Sequence, residues 1–205
     1  MYLEALKSKQ RKIFKKLAEF PNFYLVGGTA LALQIGHRIS LDFDFFSDKD
    51  ILPTLLKKVR RVFKEFEVRT ILDHSEQLSV TVTGIKLDFV KYDFPLVLGL
   101  NELAGIKILK VPEIAAMKAY ALNYRGTFKD YVDLYFILKG KHSTLAEIRK
   151  IADKKYKEEF NFRLFLEQLI YLKDLKKENI EFLKKRVGSS GIEEFFRKEI
   201  KQIKI

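Results

Sequence analysis

Between Leu25 and Ser47 the sequence reads LVGGTALALQIGHRISLDFDFFS, and two groups of residues in it can do chemistry together. Asp42 and Asp44 alternate with Leu41, Phe43 and Phe45, so on an extended strand both carboxylates leave one face while the apolar residues bury the other. Two like charges on one face repel unless a cation sits between them, and an all-oxygen donor pair suits Mg²⁺ or Mn²⁺ rather than zinc. Upstream, Gly27-Gly28-Thr29 joins a strand-like run to a helix-like one. Glycines there let a ligand approach the backbone, and N–H groups at the helix start can receive phosphate oxygens, with the Thr29 hydroxyl as a further donor. A divalent metal carrying a nucleoside triphosphate fits both halves. Taken singly, a Gly-Gly pair is often only a tight turn and Asp-x-Asp an exposed edge strand. Their order in one run carries the reading. Asp88, in IKLDFV, lies on the polar side of another alternating run. If that strand is a neighbour, the site has three carboxylates, enough for one metal on the triphosphate and one activating an attacking hydroxyl.

The elements that must hold these residues follow from periodicity. Residues 2–19 repeat apolar positions near the helical period and predict one amphipathic helix. FYLV is a short strand, TALALQIG a helix running from the glycines to Gly36, SLDFDFF a strand, and LPTLLKKVRRVFKEF a helix opened by Pro53. QLSVTVTGIKLDFV predicts a hairpin turning at Thr83-Gly84. IKIL is a strand before Val111-Pro112, after which the chain reads as helical almost to its end, with breaks at Gly126, Gly140 and the GSSG at 188–191. The expected class is α+β: a small mixed sheet backed by helices, residues 1–110, then a helical region, residues 111–205, that contributes to the active-site cleft.

Composition narrows the classes. A chain of 205 residues with 47% hydrophobic and 13% aromatic residues buries a proper core. It has no cysteine and three scattered histidines, which leaves no disulfide and no ordinary zinc site. No apolar run reaches membrane-spanning length and the N-terminus lacks a signal-peptide core, so a soluble cytoplasmic protein with no membrane partner is expected. Of the net charge of +12, residues 1–20 and 141–205 carry most, flanking a nearly neutral middle. Such flanks can attract RNA through counterion release, or can simply solvate Lys/Glu-rich helices.

Downstream, Lys118, Arg125, Lys129, Asp130 and Asp133 form a second group. Asp130 and Asp133 share a helix face, Lys118 and Arg125 stand two turns apart, and Lys129 with Asp133 has the spacing of a structural ion pair. A lysine such as Lys118 suits neutralisation of phosphoryl charge. Arg38 can touch a triphosphate or instead pair with a carboxylate and orient the metal strand; His37 is not needed as a base in metal-assisted transfer.

The pattern Gly27-Gly28, Asp42-Phe43-Asp44 and Asp88 resembles the signature of the DNA polymerase β-like nucleotidyltransferase superfamily. The fuller run GGTALALQIGHRISLDFDFF, with AAMKAYALNYRGTFKDYVDLYFIL downstream, resembles the AbiEii/AbiGii toxin-type nucleotidyltransferases of bacterial type IV toxin–antitoxin systems, over residues 22–140. The resemblance implies a minimal nucleotidyltransferase core. It implies that Asp42, Asp44 and Asp88 bind metal, that Gly27, Gly28, Thr29, Arg38 and Lys118 hold the nucleotide, and that Lys118 and Asp130 join the catalytic set. Further implied are an RNA acceptor such as a tRNA 3′ end and a cognate antitoxin. Gly28-Thr29 stands where many superfamily members have Gly-Ser, which keeps the hydroxyl. The alternatives are the same chemistry on a small molecule or protein, or a catalytically silent nucleotide- or partner-binding module. The intact Asp42 and Asp44 speak against the last, because unneeded like charges cost stability.

Overall fold

A computed structural model describes residues 1–124, 126–176 and 178–203. The chain divides into two compact units, Met1–Pro95 with Gly99–Leu109, and Leu96–Leu98 with Lys110–Ile205.

The first unit is built on a mixed sheet of seven strands among the described residues: β1 (Tyr24–Val26), β2 (Phe43–Ser47), β3 (Val68–Asp73), β4 (Gln77–Val82), β5 (Ile85–Lys91), β6 (Leu100–Leu103) and β7 (Ile106–Leu109), in the order β3-β4-β5-β2-β1-β7-β6. The sheet is larger than the sequence suggested, because both edge strands, β3 and β6, carry no clean alternation. β3 is exposed from Arg69 onward, so no buried face imprints a period on it. In the centre the alternation is strict: β2 buries Phe43, Phe45 and Ser47 while Asp44 and Phe46 are partly open. Phe45 stacks on Phe89 of β5, and Phe89 meets Phe20, fixing which face is core. Two hairpins close on two-residue turns, Thr83-Gly84 and Ala104-Gly105, with positive φ at both residues of each (51° and 81°; 51° and 76°). These are the mirror-image turns that match strand twist.

Three helices belong to this unit: α1 (Ser8–Phe14), α2 (Gly27–Ile35) and α3 (Thr54–Val62). The N-terminal segment is not one helix. α1 is flanked by short 3-10 turns at Leu3–Ala5 and Leu17–Glu19, and Leu6 and Lys7 between the first turn and α1 are extended (ψ 134° and 160°), which breaks the run although its buried positions keep a helical spacing. α2 ends on Gly36 in the left-handed conformation, as a glycine cap should.

The second unit holds α4 (Val111–Leu122), α5 (Phe128–Lys139), α6 (Leu145–Tyr156), α7 (Phe162–Leu169) and α8 (Ser189–Lys201). α4 opens with Pro112 in its first turn, and Thr127, Thr144 and Asn161 cap the next three helices. The stretch between α7 and α8, expected as helix, carries no helix among its described residues, and Gly188 is the N-cap of α8. Within this unit Glu113 is fully buried. It pairs with buried Lys155 at 2.8 Å and accepts the backbone N–H groups of Val97 and Leu98 at 3.1 and 2.9 Å.

Candidate active site

The sheet register sets the centre of the site. β2 pairs in parallel with β5 and places Asp44 opposite Asp88, while β1 on the other side of β2 places Val26 opposite Asp44. Residues opposite each other in a ladder share a face, so the two carboxylates project together. Val26 leads into α2, and the carboxylate lies against its first residue: Gly27 has φ +68°, and a Cβ there would stand 2.8 Å from Asp44 Oδ2. Only glycine both takes that conformation without strain and leaves the carboxylate room.

Asp42 sits just ahead of β2 and is exposed. Its carbonyl is tied down by Thr29: the Thr29 Oγ1 donates to Asp42 O, and Ser40 Oγ lies 2.8 Å from the same hydroxyl. A hydroxyl has one proton and a carbonyl can only accept, so the Thr29 proton is committed to Asp42 O and Ser40 is the donor to Thr29. This corrects the expectation that the Thr29 hydroxyl reaches phosphate. Thr29 is buried and ties down the entry to β2, which leaves the N–H groups at the start of α2, beside partly exposed Gly27 and Gly28, as the donors there that an anion could meet.

Arg38 is buried, with Nη1 donating to the Ile39 carbonyl at 3.1 Å, and a Cβ on Gly28 would come within 2.5 Å of Arg38 Nη2. Its guanidinium therefore backs the glycine turn. His37 is fully buried, in keeping with a structural role.

Asp88 is 8% exposed. One oxygen, Oδ2, takes the Lys86 ammonium at 2.5 Å; the other, Oδ1, is buried with no hydrogen-bond partner. A buried carboxylate oxygen left without a partner is costly and calls for a ligand. Oxygen-only donors on two facing strands, a cradle kept open by Gly27 and an unfilled Oδ1 together fit a hard divalent cation. In their present rotamers no three acidic or histidine side chains among the described residues close around one point. The carboxylates that share this face are Asp44 and Asp88, with exposed Asp42 just ahead of β2.

In the second unit Lys118 is buried and its Nζ lies 2.8 Å from Asp130 Oδ1 and 2.8 Å from Asp133 Oδ2. Asp130 also caps α5, accepting from the Thr127 N–H and hydroxyl. Burial pushes the Asp130 carboxyl up, but the Lys118 charge and hydrogen bond, helped by the Thr127 N–H, outweigh it and hold the pKa below the ordinary value. The expected Lys129–Asp133 pair does not form: Asp133 points inward, fully buried, to Lys118, and Lys129 reaches Glu178 at 2.7 Å. A spacing rule for exposed pairs misplaced a residue that the core claims. Arg125 lies outside the described residues. The sequence reading left out Lys86 as a site residue and Glu113 as a buried anchor. Alternation could have indicated Lys86, two positions from Asp88; Glu113 had no signal, since its partners are distant in sequence.

No described helix is long and apolar enough to cross a membrane. The profile of the nucleotidyl transferase AbiEii toxins, type IV toxin–antitoxin system, matches residues 11–202. An uncharacterised protein of Aquifex aeolicus is 33% identical over 98% of both chains. Among solved structures, MenT4, a nucleotidyltransferase toxin of Mycobacterium tuberculosis, is similar with TM-score 0.60 and 15% identity over 95% of this chain and 83% of that one. JHP933 of Helicobacter pylori is similar with TM-score 0.54 and 18% identity over 96% and 97%. At these identities the two structures speak for the fold.

Proposed function

The chain belongs to the AbiEii nucleotidyltransferase toxin family, and from that premise we propose that it transfers a nucleoside monophosphate from a nucleoside triphosphate to a hydroxyl of RNA, such as a tRNA 3′ end, in a reaction dependent on Mg²⁺ or Mn²⁺. The observation that carries the reading is Asp44 opposite Asp88 on parallel strands, beside the glycine start of α2.

Asp44 and Asp88 would supply the oxygens that hold the metal, and Asp42 would add a third carboxylate at the open edge. When bound there, the divalent ion neutralises phosphate charge and makes the acceptor hydroxyl easier to deprotonate. Asp88 would also help polarise the acceptor. The backbone N–H groups of Gly27 and Gly28 receive phosphate oxygens at the helix start, and Arg38 keeps that turn in place and adds fixed positive charge behind it. Lys118 has a chemical role in this proposal, neutralising phosphoryl charge, with Asp130 and Asp133 as the carboxylates that hold its ammonium. A cognate antitoxin and a cytoplasmic setting accompany the family reading.

The test is incubation of the protein with each labelled nucleoside triphosphate, Mg²⁺ and total RNA. Label in an RNA band, lost in Asp44→Ala, is the expected result. Label in protein or a small molecule would transfer the same chemistry to another acceptor, and no label with any triphosphate would sink the reading. RNA as acceptor also requires steep salt dependence, a log-log slope of roughly −0.7 per phosphate contact on single strands, reduced when Lys12, Lys15, Lys16, Lys184, Lys185 and Arg186 are neutralised.

A further inference from the structure

Lys86 precedes Asp88 by two residues on β5, so both side chains leave the same face. Its Nζ occupies one oxygen of Asp88 while the other is buried and unfilled. The ammonium therefore sits on a carboxylate that the metal-site reading assigns to the ion.

We infer that Lys86 is a resident counter-ion of the metal site: without metal its ammonium neutralises Asp88, and a divalent cation binds by displacing it. The inference rests on the metal-site reading above and concerns how that site is guarded. Two lysine–carboxylate pairs in the same protein show the difference between a permanent pair and a removable one. The Lys155 side chain is 1% exposed against a fully buried Glu113, and leaving would strand both charges. The Lys86 side chain is 43% exposed, so its ammonium can swing into water at little cost. The arrangement relieves part of the repulsion between carboxylates facing one another in the metal-free fold, and it makes the ion compete for its seat.

The experiment titrates Mn²⁺ into the EDTA-stripped full chain and follows the loss of the free-ion paramagnetic resonance signal, for the parent, Lys86→Met and Asp44→Asn. Lys86→Met is expected to bind Mn²⁺ about ten-fold more tightly than the parent, the effect of removing one competing positive charge at close range. Asp44→Asn is expected to lose most binding. In the parent, the rate of Lys86 reductive methylation, read by peptide mass spectrometry, rises several-fold once Mn²⁺ is bound, a measurement that stands even if the methionine variant folds poorly. Parent binding with no gain in Lys86→Met, or methylation unmoved by Mn²⁺, overturns the counter-ion inference and leaves the metal site standing. Absence of Mn²⁺ binding by the parent overturns the metal site itself.

Discussion

Asp44 and Asp88 face each other directly across the parallel β2–β5 ladder, forty-four positions apart in sequence and one strand apart in space. Their meeting depends on register alone: a slip of one residue would turn either carboxylate into the aromatic core formed by Phe45 and Phe89.

Asp44→Ala should lower nucleotidyl transfer by about 10²–10³-fold or more while the protein melts at or above the parent temperature in EDTA, since a repelling charge has gone. Thermal melts with and without Mg²⁺ check this. A marked loss of stability in EDTA would mean that Asp44 serves the fold and not a metal.

The two glycines should respond differently. Gly27→Ala forces a side chain into a left-handed backbone at φ +68° and against Asp44 Oδ2, so it should cost about 1–2 kcal/mol and disturb metal binding as well. Gly28→Ala asks for no left-handed backbone, and its Cβ meets side-chain atoms instead, Arg38 Nη2 at 2.5 Å and Ser40 Oγ at 3.3 Å, which must shift to admit it. It should leave stability closer to parental while still weakening triphosphate binding. Chemical denaturation and nucleotide titration of both variants separate the outcomes.

Glu113→Ala leaves Lys155 as a buried unpaired charge and strips the Val97 and Leu98 N–H groups of their acceptor. The expected loss is about 3–5 kcal/mol, and the double replacement Glu113→Leu with Lys155→Met should recover a substantial part of it. Urea unfolding of the three variants forms the cycle.

Asp130 gives the fold an acid limit. Its pKa is lowered in the folded state, so the unfolded chain binds the proton more readily and the stabilisation exists above the unfolded value, near 3.8. It is lost as pH falls through the lower folded value. Melting curves between about pH 2 and 6 should therefore show Asp130→Asn well below the parent at the upper end, with the gap closing toward the acid end.

Much of this was legible in the residues. Strict alternation in SLDFDFF fixed the face of Asp44, Thr83-Gly84 marked the hairpin, and Gly36 marked the end of α2. What escaped has a common physical cause: it depended on partners far away in sequence or on surfaces with no buried face. The edge strands β3 and β6 lack alternation because little packs on them. Thr29 offers the same hydroxyl to phosphate or to a strand, and only the approach of Asp42 O decides. Asp133 has a perfect exposed-pair spacing with Lys129, yet tertiary burial delivers it to Lys118.

The parallel pairing of β2 with β5 also orders events in time. Non-local strand pairing is slow because the loop between the strands must close before its contacts repay the entropy. A nascent chain that has emerged only as far as β4 carries Asp42, Asp44 and the whole glycine turn yet lacks the strand that faces them. Central strand β1 stays without one of its neighbours until β7, with Ile108 beside Leu25, has been made. The face that carries Asp44 is therefore completed only after β5 has been made, and the sheet closes around a strand laid down near the start only once β7 follows.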